Sequence, residues 1–167
     1  MNNIINNREY MHLIEDIYNN NELTKHGCQT SSSTDLIKRI HVMTDLIEDL
    51  LLHNDIDKVV MEEVRPEGGY GVGNLQTHRA LMWLQASIAI MIHDLYPKVT
   101  VEYIYPSSWR AAIGIKTGRG IKRTSLKQAD IDFVKEKYGI DVNDDEADAI
   151  CIGYAQLNKI SNEINWE

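Results

Sequence analysis

Short strand-like runs alternate along this chain with longer helical patterns, and this alternation constrains the fold more than any other feature. Residues 57–64 contain a β-branched run without helical period, and residues 99–105 alternate apolar with polar side chains. A helical pattern with an apolar stripe separates them, over residues 74–96. Strands that alternate with helices build α/β folds. The sequence therefore predicts an α/β domain in which helices flank a mixed sheet.

The remaining elements follow from the same patterns and from turn residues. They are a strand over residues 21–29, a turn over 30–33, a helix capped by Ser33 or Thr34 that ends at 53, a short helix over 106–109, a helix over 125–138 stopped by Gly139, and a last helix from about 144. Residues 8–18 are also predicted to be helical, because apolar residues recur there at helical spacing. This stripe consists of Tyr10, Leu13, Ile14 and Ile17.

Length and composition suit one domain over residues 1–167, with a substantial core. No apolar run is long enough to span a bilayer, and the first residues do not form a signal peptide. The two cysteines are too few for a disulfide framework, and Cys151 lies among small and apolar residues that predict a buried thiol. We therefore expect a cytoplasmic protein without membrane association.

An acidic segment opens the last predicted helix, at residues 144–150. Asp145 and Asp148 are three residues apart, so they share one face of a helix. Carboxylates at the edge of a core are costly unless a positive charge lies between them, and a divalent metal ion is the usual solution. The alternative is an ordinary helix start, in which Asn143 or Asp144 is the N-cap and the acids complement the helix dipole.

A second acidic position lies at the C-terminal end of the strand predicted over residues 57–64. Open α/β sheets bind their ligands at that end. Glu62 and Glu63 point to opposite faces of the strand, so only one of them can enter a given site. A glycine-containing loop over residues 65–73 follows directly and is typical of a site that admits a bulky substrate. The alternative is that both glutamates are solvated.

A net charge of −8 argues against a passive, sequence-independent nucleic-acid binder. Positive charges nevertheless concentrate in one glycine-bearing stretch, residues 116–127. Such a loop can contact phosphates when it lies beside a carboxylate site, and the alternative is an ordinary solvated loop. The candidate DNA-binding residues are Lys116, Arg119, Lys122 and Arg123, together with Tyr70 of the glycine loop, which could contact bases or wedge a junction.

Together, the strand end at residues 61–64, the glycine loop with its following helix, and the acidic segment at 144–150 resemble the RuvC family of Holliday junction resolvases. This family belongs to the RNase H-like nuclease superfamily. Residues 106–110 and Lys127 fall between these motifs in the order that the family has. The resemblance covers residues 23 to 159, and the order and spacing of the motifs are more specific than any one motif alone.

The resemblance implies an RNase H-like mixed sheet and an endonuclease that cleaves branched DNA, namely four-way junctions, in recombination and repair. It implies that Glu62, Asp145 and Asp148 bind Mg²⁺ or Mn²⁺, and that Lys127 assists at the scissile phosphate. It also implies a homodimer, because a four-way junction needs two symmetric cuts. The apolar faces of the helix over residues 74–96 are the expected dimer surface.

The N-terminal segment, residues 1–20, departs from the family pattern. The family opens with a strand whose Asp is a fourth metal ligand, and that position falls here near Asn6 or Asn7. We therefore expect the first strand to be missing or replaced by a helix, with Glu15 and Asp16 as carboxylates that could in principle substitute. The alternative function is a junction-binding or interaction protein with impaired catalysis. A further alternative is a metal-dependent phosphohydrolase that acts on nucleotides in a closed pocket.

Overall fold

The computed structural model describes residues 11–19, 22–31, 33–64 and 72–164. The elements, in chain order, are β1 (Met11–Asn19), β2 (Glu22–Ser31), α1 (Leu36–His53), β3 (Lys58–Glu62), α2 (Val72–Leu95), β4 (Thr100–Ile104), α3 (Pro106–Ala112), α4 (Arg123–Tyr138) and α5 (Asp144–Ile164). This mixture of strands and helices confirms the predicted α/β class. No helix in these ranges is both long enough and apolar enough to cross a bilayer.

The elements predicted from residue 21 onward are all present, with ends displaced by a few residues. Two details of the prediction are wrong. The predicted turn begins too early, because Thr30 and Ser31 belong to β2. The N-cap of α1 is Asp35, whose Oδ1 accepts hydrogen bonds from the backbone N–H groups of Ile37 at 2.9 Å and Lys38 at 3.3 Å. Carboxylates at this position satisfy two of the unpaired N–H groups that start every helix.

β1 shows that the helix predicted over residues 8–18 is wrong in the part that the structure describes. The apolar residues of this segment fit helical spacing, but the same run is rich in residues that favour strands, and pairing with β2 decides its conformation. A strand therefore occupies this segment. Glu15 and Asp16 lie on it, whereas Asn6 and Asn7 lie outside the described residues.

The described strands form two pairs, β1 with β2 and β3 with β4. β3 and β4 run parallel. At one end the backbone N–H of Thr100 donates to the carbonyl oxygen of Asp57 at 2.9 Å, and at the other end the N–H of Glu63 donates to that of Ile104 at 2.8 Å. This register fixes Glu62 at the C-terminal end of β3, where the sequence predicted it.

The chain divides into two compact units. In one of them α1 and α2 pack against each other through apolar stripes. The buried residues of these two helices include Ile40, Met43, Leu50 and Leu51 on α1 and Ala80, Leu84, Ile88 and Ile92 on α2. The four positions on α2 recur every fourth residue. Side chains at this spacing form a ridge along a helix, and such ridges pack into the grooves of a neighbouring helix.

The other unit contains α3, α4 and α5, and its core is built where these helices meet. Trp109, Val134 and Ile150 are fully buried there. Cys151 is buried as well, as predicted, and its thiol lies 3.7 Å from the carbonyl oxygen of Asp130. Burial of these side chains fixes the mutual positions of the three helices, and those positions determine where the polar side chains at their ends meet.

β1 contacts α5 through Tyr18. The hydroxyl of Tyr18 donates to the carbonyl oxygen of Ile150 at 2.7 Å. Its ring lies so close to Gly153 that a Cβ atom at that position would overlap it. Residue 153 must therefore be glycine because the ring of Tyr18 leaves no room for a side chain, and not because its backbone conformation requires glycine.

We predict that Gly153→Ala lowers the free energy of unfolding by about 1–3 kcal/mol, because an added methyl group overpacks this contact. In an unobstructed helix the same substitution raises stability by about 1 kcal/mol. In a Tyr18→Ala background, where the ring is gone, Gly153→Ala should therefore become stabilising. Urea unfolding of the four proteins measures this change of sign, and a Gly153→Ala variant that is more stable with Tyr18 in place would contradict the contact.

Candidate functional site

Three elements of the α3–α4–α5 unit bring polar side chains to one place. The C-terminal end of β3 contributes Glu62, and α4 contributes Lys127. The first turns of α5 contribute Asp145 and Asp148. These four residues are the predicted metal ligands and catalytic lysine. The structure brings them together, because Lys127 bonds to both aspartates and the charges of Lys127 and Asp148 both act on Glu62.

The start of α5 is set by a capping box. The side-chain oxygen of Asn143 accepts from the backbone N–H groups of Asp145 at 3.0 Å and Glu146 at 2.9 Å. The carboxylate of Glu146 accepts in return from the N–H of Asn143 at 3.0 Å. Asn143 is thus the N-cap, one of the two residues that the sequence allowed. The cap fixes the helix start and so places Asp145 and Asp148 on one face, one turn apart.

Three carboxylates meet the ammonium group of Lys127. Its Nζ lies 3.2 Å from Asp144, 3.0 Å from Asp145 and 3.0 Å from Asp148. Burial works against the charged form, but the hydrogen bonds that Lys127 donates to these carboxylates outweigh it and raise the pKa of Lys127. The hydrogen bond from Lys127 to Asp144 lowers the pKa of Asp144. The ammonium therefore stays charged and serves as the counter-ion of the acidic helix start.

The carboxylate of Glu62 interacts with the side chain of Trp109. The Nε1–H of Trp109 donates to Oε2 of Glu62 at 3.0 Å. Burial raises the pKa of Glu62, the bond from Trp109 lowers it, and the nearby charge of Asp148 raises it again. Trp109 is fully buried as part of the core, yet its indole N–H is directed at a predicted ligand. Sequence reasoning missed this second role.

Arg110 and Asp130 form a buried ion pair that sequence reasoning did not anticipate. Nε and Nη2 of Arg110 donate to the carboxylate of Asp130, with the shortest contact at 2.7 Å, and Asp130 is fully buried. Nη2 also donates to Oδ1 of Asp148 at 3.2 Å. Burial raises the pKa of Asp130 to about 6, with Arg110 acting against the rise and Asp148 adding to it. One signal was present, since Asp130 follows Lys127 by three residues and precedes Val134 by four, on the buried face of α4.

The basic residues are exposed along the loop between α3 and α4. Lys122 is the N-cap of α4, and its side chain makes no capping hydrogen bond. Arg123 lines an open pocket of about 340 Å³ together with Thr124, Lys127, Gln128, Ile131, Asp144 and Asp145. The structure thus brings Arg123 and Lys127 to one pocket, does not place Lys116 or Arg119 there, and leaves Tyr70 outside the described residues.

The donor set suits a hard divalent cation, because Glu62, Asp145 and Asp148 offer only carboxylate oxygens. The charges of the two aspartates are partly offset by Lys127 and Arg110. Within residues 11–19, 22–31, 33–64 and 72–164, no three His, Cys, Asp or Glu side chains stand together as a ready ligand set. Three carboxylates nonetheless gather around one positive charge, which is the electrostatic requirement that a metal ion would also satisfy.

No family model matches this chain, and no curated protein matches it significantly.

The ion pair of Arg110 with Asp130 is open to a direct test of stability. Arg110→Met leaves Asp130 buried without its cation, so we expect the free energy of unfolding to fall by about 3–5 kcal/mol. Arg110→Met combined with Asp130→Leu removes both charges and should recover a large part of that loss. Guanidinium chloride unfolding at neutral pH measures both. A loss below about 1 kcal/mol in the single variant would mean that Asp130 finds other solvation.

Proposed function

We propose that this protein is a RuvC-like, metal-dependent endonuclease that cleaves branched DNA, with the four-way junction as its substrate. One observation carries the proposal. Carboxylates of α5 are gathered around Lys127 at the edge of a pocket that also contains Arg123, and the charges of Asp148 and Lys127 act on Glu62 at the end of β3. The RuvC-like order of the motifs supports the same conclusion, and an RNase H-like sheet is part of the proposal.

Glu62, Asp145 and Asp148 would hold Mg²⁺ or Mn²⁺, which supplies Lewis acidity toward the attacking water and the leaving oxygen. Lys127 would then share the carboxylates with that cation and direct its ammonium group at the phosphate, where it offsets the charge that develops during hydrolysis. Asp16 or Glu15 of β1 is the candidate for a fourth carboxylate, since the segment that carries them is a strand.

The start of α4 supports contact with a DNA phosphate. A helix N-terminus presents backbone N–H groups and a partial positive charge, and here the Lys122 side chain does not cap them. Arg123 and Thr124 add a cation and a hydroxyl at the same pocket. These groups contact the backbone and not the bases, so they suit recognition of junction shape. Lys116 and Arg119 would extend this contact along the loop.

The proposed assembly is a cytoplasmic homodimer acting in DNA recombination or repair. Its support lies on α2, where Trp83 and Ile90 are 46% and 62% exposed. They are seven residues apart, so they lie on one face of the helix, and an exposed apolar pair of this kind can be part of a contact surface. Two copies related by a two-fold axis would cover this surface and present two sites to the two strands of a junction.

A second candidate is a junction-binding protein without catalysis. The observation in its favour is that Asp145, Asp148 and Asp130 already pair with Lys127 and Arg110. A cluster whose charge is partly offset in this way can serve as a structural ion network and need not bind metal. Incubation of the protein with a labelled four-way junction and Mg²⁺, beside a linear duplex, separates the two candidates, because the second predicts a shifted complex and intact strands.

Asp148→Asn should abolish Mg²⁺-dependent cleavage of the junction, because it removes a ligand charge without changing volume. Junction binding in Ca²⁺ and the melting temperature should stay close to those of the unchanged protein. Asp132→Asn is the matched control, since Asp132 is an aspartate of α4 whose side chain accepts an exposed hydrogen bond from Gln128. Cleavage by Asp148→Asn at the rate of the control would rule out this metal centre.

Charge removal at the start of α4 should weaken binding to every DNA sequence alike. For Lys122→Gln with Arg123→Gln we expect the slope of log K against log salt to become shallower by about 1 for each phosphate that the variant no longer neutralises. Lys135→Gln with Lys137→Gln removes the same charge from the last turn of α4 and is the control. Filter binding at several salt concentrations gives both slopes, and identical slopes would show that the loop is only solvated.

A further inference from the structure

Two adjacent residues of α3 each hold one of the carboxylates assigned to the metal. Trp109 donates through its indole N–H to Glu62 at 3.0 Å. Arg110 donates through Nη2 to Asp148 at 3.2 Å. Glu62 belongs to β3 and Asp148 to α5, so two elements distant in the chain are linked through neighbouring positions of one short helix. Consecutive Cα atoms are a fixed distance apart, about 3.8 Å, so the two donors extend from backbone positions of fixed separation.

The two side chains are themselves immobilised. Trp109 is fully buried in the core of its unit. Arg110 is held by three hydrogen bonds to Asp130, at 2.7, 3.1 and 3.2 Å, and the acceptor is fully buried. The guanidinium carbon also lies 4.1 Å from the centre of the Trp109 ring, which is a cation–π distance. Neither side chain can rotate without breaking these contacts, so the direction in which each donates its hydrogen bond is fixed.

We propose that Trp109 and Arg110 are positioning residues that set Glu62 and Asp148 at a fixed separation for metal binding, and that Asp130 holds Arg110 and is not itself a ligand. This inference rests on the proposed function. Carboxylates repel one another, and an unsupported pair would separate. Partners of metal ligands that donate hydrogen bonds to them change metal affinity about 10- to 100-fold when they are removed. Asp130 is assigned to Arg110 and not to the metal because it is fully buried and both of its oxygens accept from the guanidinium.

The positions of these ligands can be tested with two substitutions that leave the net charge of the protein unchanged. Trp109→Phe removes the indole N–H, and Arg110→Lys replaces a planar fork by a point charge that cannot hold Asp130 and Asp148 together. Each should raise the dissociation constant for Mn²⁺ by about 10-fold or more, measured by electron paramagnetic resonance of the unbound ion. Val134→Ala is the control, because Val134 is fully buried in the same core but has no side-chain hydrogen bond to offer a ligand. It should lower the melting temperature and leave the Mn²⁺ affinity unchanged.

A double-mutant cycle separates positioning from a general loosening of the core. If Trp109 acts through Glu62, then Trp109→Phe should cause no further loss of Mn²⁺ affinity in a Glu62→Gln background. Fluorescence gives a second measurement on the folded protein. In a Trp83→Phe, Trp166→Phe variant Trp109 is the remaining tryptophan, and Mn²⁺ should quench its emission unless Glu62→Gln is also present.

The outcomes are distinguishable. The inference is overturned if the protein binds Mn²⁺ and cleaves junctions while Trp109→Phe and Arg110→Lys keep its Mn²⁺ affinity, and the proposed function then stands. It is also overturned if Val134→Ala weakens Mn²⁺ binding as much as they do. A protein that neither binds Mn²⁺ nor cleaves a junction overturns the proposed function and this inference with it. Selective loss of affinity in the two variants, together with the quenching, supports it.

Discussion

The buried ion pair between Arg110 and Asp130 is the interaction on which the polar centre of this protein depends. Asp130 is fully buried, and an isolated carboxylate there would be strongly disfavoured. One edge of the Arg110 guanidinium donates hydrogen bonds to the carboxylate of Asp130 and compensates its charge. Nη2, which makes the shortest of these bonds, also donates to Asp148. A lysine could neutralise the charge but could not present two donors in a plane. The geometry of arginine therefore connects the core of the unit with its polar surface.

In a chain that is acidic as a whole, Lys127 and Arg110 each lie among several carboxylates. The net charge is −8, yet Lys127 is enclosed by three aspartates and Arg110 by two. The partners of the two cations differ in exposure, because Asp130 is sealed from water whereas Asp144 and Asp145 are about half exposed. Water and dissolved ions can therefore reach the carboxylates around Lys127, but they cannot reach that of Asp130.

Local sequence pattern was sufficient for most elements and for the predicted ligands. Glu62 was placed by the end of a β-branched run, and Asp145 with Asp148 by their spacing on a helix, because both signals are contained in a few residues. The pairing of Arg110 with Asp130 was missed because the two residues are 20 positions apart and no local period links them. β1 was missed for another reason. Its apolar spacing fits a helix, and the strand results from residues that favour strands and from pairing with β2, which no local period reveals.

The hydroxyl bond from Tyr18 to Ile150 has a consequence for synthesis of the chain. Its partners are 132 residues apart, so the acceptor leaves the ribosome long after the donor. At about 5–20 residues per second, β1 waits on the order of ten seconds for α5 to exist. During that interval the pair of β1 and β2 has two edges and no helix to cover it, which is the state most exposed to pairing with another nascent chain. The pair of β1 and β2 is therefore expected to be most vulnerable to mispairing before the acidic helix is made.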